Sequence, residues 1–81
     1  MTETQEAAAR LVDQIKPLLA GVAPGIQGAA LADCLALWLA SHYIPGNENS
    51  TRTMRAELLA NHCSFVRELV PIHARMMGTT P

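Results

Sequence analysis

The segment from residue 26 to residue 44, IQGAALADCLALWLASHYI, is apolar on every side when it is drawn as a helix, and Asp33 is its only charged residue. A helix that is apolar all round is normally surrounded by other elements. Two further helices in a chain of 81 residues cannot readily surround it. The segment therefore predicts that the chain needs more apolar neighbours than it supplies itself.

The composition favours an all-α fold. Ala and Leu together supply 23 residues, whereas the β-branched Val and Ile supply 8, and unbranched side chains lose little rotamer freedom in a helix. The net charge of −1 gives no bulk attraction to nucleic acid or to an anionic membrane. The N-terminal stretch lacks the basic start and apolar core of a secretory signal, and Asp33 argues against a bilayer span. We therefore expect a cytoplasmic location, with Cys34 and Cys63 as reduced thiols.

Three helices are predicted, at about residues 3–20, 26–43 and 51–77. Thr2 and Gln5 form a capping box at the start of the first helix, and Gly21 is its natural stop. Pro17 lies on the outer side of this helix, and Pro71 interrupts the third, so a kink or restart is expected there. The expected core face of the second helix comprises Gln27, Leu31, Cys34, Leu35, Trp38 and His42. The main stripe of the third helix comprises Met54, Leu58, His62, Phe65, Leu69, Ile72 and Met76.

The connection at residues 44–50, IPGNENS, is rich in turn-forming residues and predicts a hairpin between the second and third helices. Residues whose numbers sum to about 96 then lie side by side. The expected architecture is a small antiparallel three-helix bundle, completed by self-association. We expect a single helical domain over residues 1–81, with frayed ends at about 1–2 and 78–81.

Histidine and cysteine are the candidate metal ligands, but their spacing argues against a metal site. His62 and His73 lie 11 residues apart, which is about 16 Å along one helix, too far for two ligands of one ion. In the hairpin register only Cys34 and His62 could meet, and two ligands do not make a structural zinc site. Cys34 and Cys63 could form a disulfide, but buried cysteine is ordinarily a small hydrophobe. We expect no metal and no cofactor.

No catalytic motif is found in the sequence. A glycine-rich phosphate loop, a GxSxG elbow and a HExxH pair are all missing, so we expect a protein that is not an enzyme. An anion or nucleic-acid backbone could bind at the start of the third helix, where hydroxyls and cations cluster near free backbone amides. The residues of this alternative are Ser50, Thr51, Arg52 and Arg55. A well-capped helix start and a solvated loop would explain the same cluster, and then Arg52 and Arg55 would be dispensable for folding. Under the leading hypothesis given next, we expect no nucleic-acid partner.

The leading hypothesis is a small, non-catalytic interaction module that self-associates, most simply as a twofold dimer, and binds a protein partner. The contact surface is the face of the second helix opposite the expected core face, together with the flank of the third helix. On the second helix, the candidate interface residues are Ile26, Ala29, Ala30, Asp33, Ala36, Leu37, Ala40 and Ile44. Asp33 is the one charged residue of this surface. It is either a charge at the rim of the contact or a polar residue within the contact that fixes its register.

Overall fold

A computed structural model describes residues 2–81, and within that range it contains three α-helices and no strand. The helices are α1 (Glu3–Leu19), α2 (Pro24–Ala40) and α3 (Glu48–Met77). The all-α prediction with three helices is confirmed. The predicted fraying of residues 1–2 falls partly on Met1, which lies outside the described residues.

The predicted capping box begins α1. The Gln5 backbone N–H donates to the Thr2 hydroxyl at 3.1 Å, and the Thr2 backbone N–H donates to the Gln5 side-chain oxygen at 2.9 Å. These two bonds satisfy amides that a helix start otherwise leaves without partners. Pro17 lies inside α1, which continues past it to Leu19. The helix therefore tolerates the absence of a backbone N–H donor at this position.

The chain divides into two compact units, with the boundary after Cys34. The first unit contains α1 and the first part of α2. Gly21 has a φ of +77°, a left-handed conformation that glycine adopts without a steric cost, and it turns the chain between the two helices. The side-chain amide of Gln27 donates to the Leu19 carbonyl at 2.7 Å, which satisfies one of the unpaired carbonyls at the end of α1.

Helix α2 begins two residues before its predicted start, because Pro24 fits the first turn, where no backbone donor is needed. It ends at Ala40 and not at residue 43. The Ser41 hydroxyl and the His42 Nδ1 both donate to the Trp38 carbonyl, at 2.6 and 2.7 Å. These side chains satisfy a terminal carbonyl in place of a further helical turn.

The second unit runs from Leu35 to the C-terminus and contains the end of α2 and all of α3. Helix α3 begins at Glu48, three residues before its predicted start, because Asn47 is its N-cap and accepts from the Ser50 N–H at 2.9 Å. Helix α3 continues unbroken through Pro71 and is closed by Gly78, with a φ of +72°. At 30 residues it is about 45 Å long.

The contacts between α2 and α3 within the second unit agree with the predicted antiparallel register. The Arg55 guanidinium reaches the Ala40 carbonyl, and the rings of Trp38 and His62 lie 5.7 Å apart. The numbers of these pairs sum to 95 and 100, close to the expected 96. The hairpin inferred from residues 44–50 is therefore confirmed for this part of the chain.

No residue among those described is buried. The most protected side chains are only half-buried, and most of those in the second unit lie along the contact of α2 with α3, among them Leu35, Leu39, His42, Thr51, Met54, Arg55, Leu58 and His62. Trp38, expected at the centre of a core face, is 42% exposed and packs edge-on against His42 at 5.0 Å. Leu31 and Cys34 are also exposed, so the predicted core face of α2 is wrong in these members.

Candidate functional site

One face of α2 carries seven of the eight predicted interface residues, and all seven are exposed. At 100° per residue, Ile26, Ala29, Ala30, Asp33, Ala36, Leu37 and Ala40 share one side of this continuous helix. We call these seven residues the α2 strip. Its two large members, Ile26 and Leu37, are 63% and 66% exposed. The strip is thus an apolar surface with one carboxylate, Asp33, at its middle.

The eighth predicted interface residue, Ile44, does not lie on this helix. Because α2 ends at Ala40, the helical spacing that placed Ile44 on the strip no longer applies. Its backbone is held instead by Thr51, whose hydroxyl oxygen accepts from the Ile44 N–H at 2.9 Å. Ile44 is therefore part of the turn between α2 and α3.

A second exposed apolar surface lies on the C-terminal half of α3. Phe65 and Met77 mark its ends and are 63% and 74% exposed. Its large side chains are Phe65, Val66, Leu69, Val70, Ile72, Met76 and Met77. The sequence predicted the apolar arc of α3 correctly, but it could not show that only the N-terminal half of that arc is protected.

The residues of the predicted anion site lie close together at the turn, and most of their polar groups form hydrogen bonds or an ion pair within it. Ser50 donates its backbone N–H to Asn47, and the Thr51 hydroxyl donates to the Asn47 carbonyl at 2.8 Å. An open cleft of about 600 Å³ lies beside them, and its lining includes Tyr43 and Arg52. Arg52 is exposed and pairs with Glu48 at 3.4 Å, one helical turn away. The cluster acts as a helix start and turn.

Arg55 has a role that local sequence patterns did not reveal. Its Nε donates to the His42 carbonyl and its Nη2 donates to the Ala40 carbonyl, both at 2.9 Å. A cation that bonds these carbonyls also lies at the negative end of the α2 dipole. The guanidinium of Arg55 thus caps α2 from across the hairpin. Its partners lie 13 and 15 residues away, beyond the range of a helix-capping motif.

The two arginines should therefore differ in their effect on stability, contrary to the expectation that both are dispensable. We expect Arg55→Ala to lower the free energy of unfolding by about 1.5 to 3 kcal/mol, since it removes two charge-assisted hydrogen bonds. The matched control Arg52→Ala should change it by less than about 0.5 kcal/mol, because its ion pair is solvated. Urea unfolding followed by circular dichroism measures the change in the free energy of unfolding for both variants. Equal effects of the two substitutions would contradict the capping role.

Neither the histidines nor the cysteines form an obvious chemical site. In the part of the chain that the structure describes, no three side chains among His, Cys, Asp and Glu are grouped so that they could hold a metal ion. Cys34 and Cys63 are both thiols there, the first exposed and the second half-buried. His42 and His62 pack on Trp38, which gives them a structural role in the hairpin.

None of the three helices described is long and apolar enough to cross a membrane. No protein-family model, no curated protein and no solved structure matches this chain. Function can therefore be inferred only from the physical properties of the chain itself.

Proposed function

We propose that this protein is a small, non-catalytic helical module that acts in the cytoplasm by associating with a second copy of itself, and that the assembly binds a protein partner. The observation that carries the proposal is the lack of a core: no residue between 2 and 81 is buried. Apolar side chains on all three helices are exposed, among them Leu18 on α1, Leu37 on α2 and Met76 on α3. Surfaces of this kind are rare on soluble monomers.

The α2 strip is the first surface we assign to self-association. Its alanines allow close approach of another helix, and Leu37 projects beside them. Ala29 and Ala36 are seven residues apart, and Ala40 follows after four more, so they align along the helix. Because a twofold contact uses the same patch on both copies, a single substitution acts on it twice.

The test is Ala36→Glu, compared by sedimentation with the wild-type protein at matched concentrations. We expect the wild type to sediment as a dimer or larger, and the variant as a smaller species or an aggregate, because the new carboxylate enters a dry contact near its own copy. Ala9→Glu on α1 is the matched control, since position 9 falls on the polar flank near Lys16. An Ala36→Glu protein that associates as strongly as the control would exclude the α2 strip from the contact.

A further inference from the structure

The C-terminal half of α3 has the residue pattern of a coiled-coil seam. Phe65, Leu69, Ile72 and Met76 follow one another at intervals of four, three and four, which is the spacing of alternating d and a positions in a heptad. All four side chains are exposed. Pro71 falls on the opposite side of the helix, where its missing donor does not disturb such a seam.

Two opposite charges flank this seam on the same edge. Glu68 and Arg75 are seven residues apart, each directly before an a position, and such flanking positions set the orientation of coiled-coil partners. Neither forms an ion pair in the part of the chain that the structure describes. A helix with one acid and one base on one edge is complementary to its own copy when the two helices run antiparallel.

We infer that the C-terminal half of α3 pairs antiparallel with the same segment of a second copy, about a twofold axis between Val70 and Pro71. This inference rests on the proposed self-association and names a contact surface for it. Residues whose numbers sum to 141 then face each other. Phe65 meets Met76 of the second copy, and Leu69 meets Ile72 of the second copy, so that four apolar layers form across the axis.

The same register brings the charges together. In an antiparallel coiled coil, the residue directly before an a position of one helix faces the residue directly before an a position of the other helix. In this register, the numbers of two such facing residues sum to 143. Glu68 therefore faces Arg75 of the second copy, and symmetry repeats the pair. Beside the seam lies a cleft of about 370 Å³ lined in part by Val66, Leu69 and His73, which offers room for side chains of the second copy.

The experiment is a charge swap measured by the dissociation constant in sedimentation equilibrium. Glu68→Arg and Arg75→Glu should each weaken association about tenfold, since each turns two attractive pairs into two repulsive pairs. The double variant should recover to within about threefold of the wild type. Arg67→Glu is the matched control, because position 67 points away from the seam, and it should leave the constant unchanged.

A fifth variant, Leu69→Glu, tests the apolar layers and should weaken association at least about a hundredfold. Circular dichroism establishes that each variant keeps its helices. An oligomeric wild type that is indifferent to the charge swap and to Leu69→Glu would overturn the α3 pairing while leaving self-association through the α2 strip in place. A monomeric wild type would instead overturn the proposed function itself.

Discussion

Replacing Trp38 with alanine is expected to lower the free energy of unfolding by roughly 2 kcal/mol. The indole is the largest side chain in the contact of α2 with α3, and its ring packs against the imidazoles of His42 and His62. The value lies below the loss of about 3 to 5 kcal/mol typical of a fully buried aromatic, because Trp38 is 42% exposed. For a domain this small, such a loss is a large part of the total stability.

Urea unfolding followed by circular dichroism at 222 nm measures this loss without relying on the indole as a probe. Tyr43→Ala is the matched control, because Tyr43 is an aromatic residue that lies beyond the end of α2 and is 64% exposed. Its removal should change stability by less than about 0.5 kcal/mol. If both aromatic substitutions shifted the urea midpoint of unfolding equally, Trp38 would not stabilise the hairpin more than an exposed aromatic residue does.

Pro71→Ala is expected to stabilise the protein by about 1 to 3 kcal/mol. Helix α3 is continuous through Pro71, so the proline removes one backbone hydrogen bond from the helix interior and crowds the preceding turn. Alanine restores the donor and fits the same backbone. The gain should appear as a higher melting temperature and a stronger helical signal.

Pro45→Ala is the control for this substitution, since Pro45 lies in the turn, where its ring restricts the unfolded chain. That substitution should be neutral or destabilising. A loss of stability in Pro71→Ala would mean that proline is required for the local path of the chain, and that α3 is not one regular helix.

The helices could be predicted because their causes are local. Thr2 with Gln5, Gly21, and the turn residues after Ile44 each act through neighbours a few positions away. The ends of α2 and the start of α3 were misplaced by two to three residues, since Asn47 and the side chains after Ala40 compete with the backbone for the same hydrogen bonds. Ile44 was assigned to the interface face of the second helix for the same reason.

Tertiary roles were less accessible to sequence reasoning. The capping of α2 by Arg55 joins residues 13 to 15 positions apart. The periodic spacing of residues along a helix does not predict such a contact. The degree of burial was also misjudged. An apolar stripe shows which side chains are favoured to be buried, but it does not show how much of their area the chain itself can bury. Trp38 illustrates this limit: its position on the α2–α3 contact was predicted, and its exposure was not.

The most direct test of self-association is the mass of the wild-type protein in solution. Sedimentation equilibrium from low to high micromolar concentration gives that mass without any substitution. Light scattering on the protein as it elutes from a size-exclusion column is a second measure. We expect twice the chain mass of 8.7 kDa or more over most of this range. A stable monomer of 8.7 kDa at high micromolar concentration would contradict the proposal, because it would mean that the apolar faces of α2 and α3 are covered within a single chain.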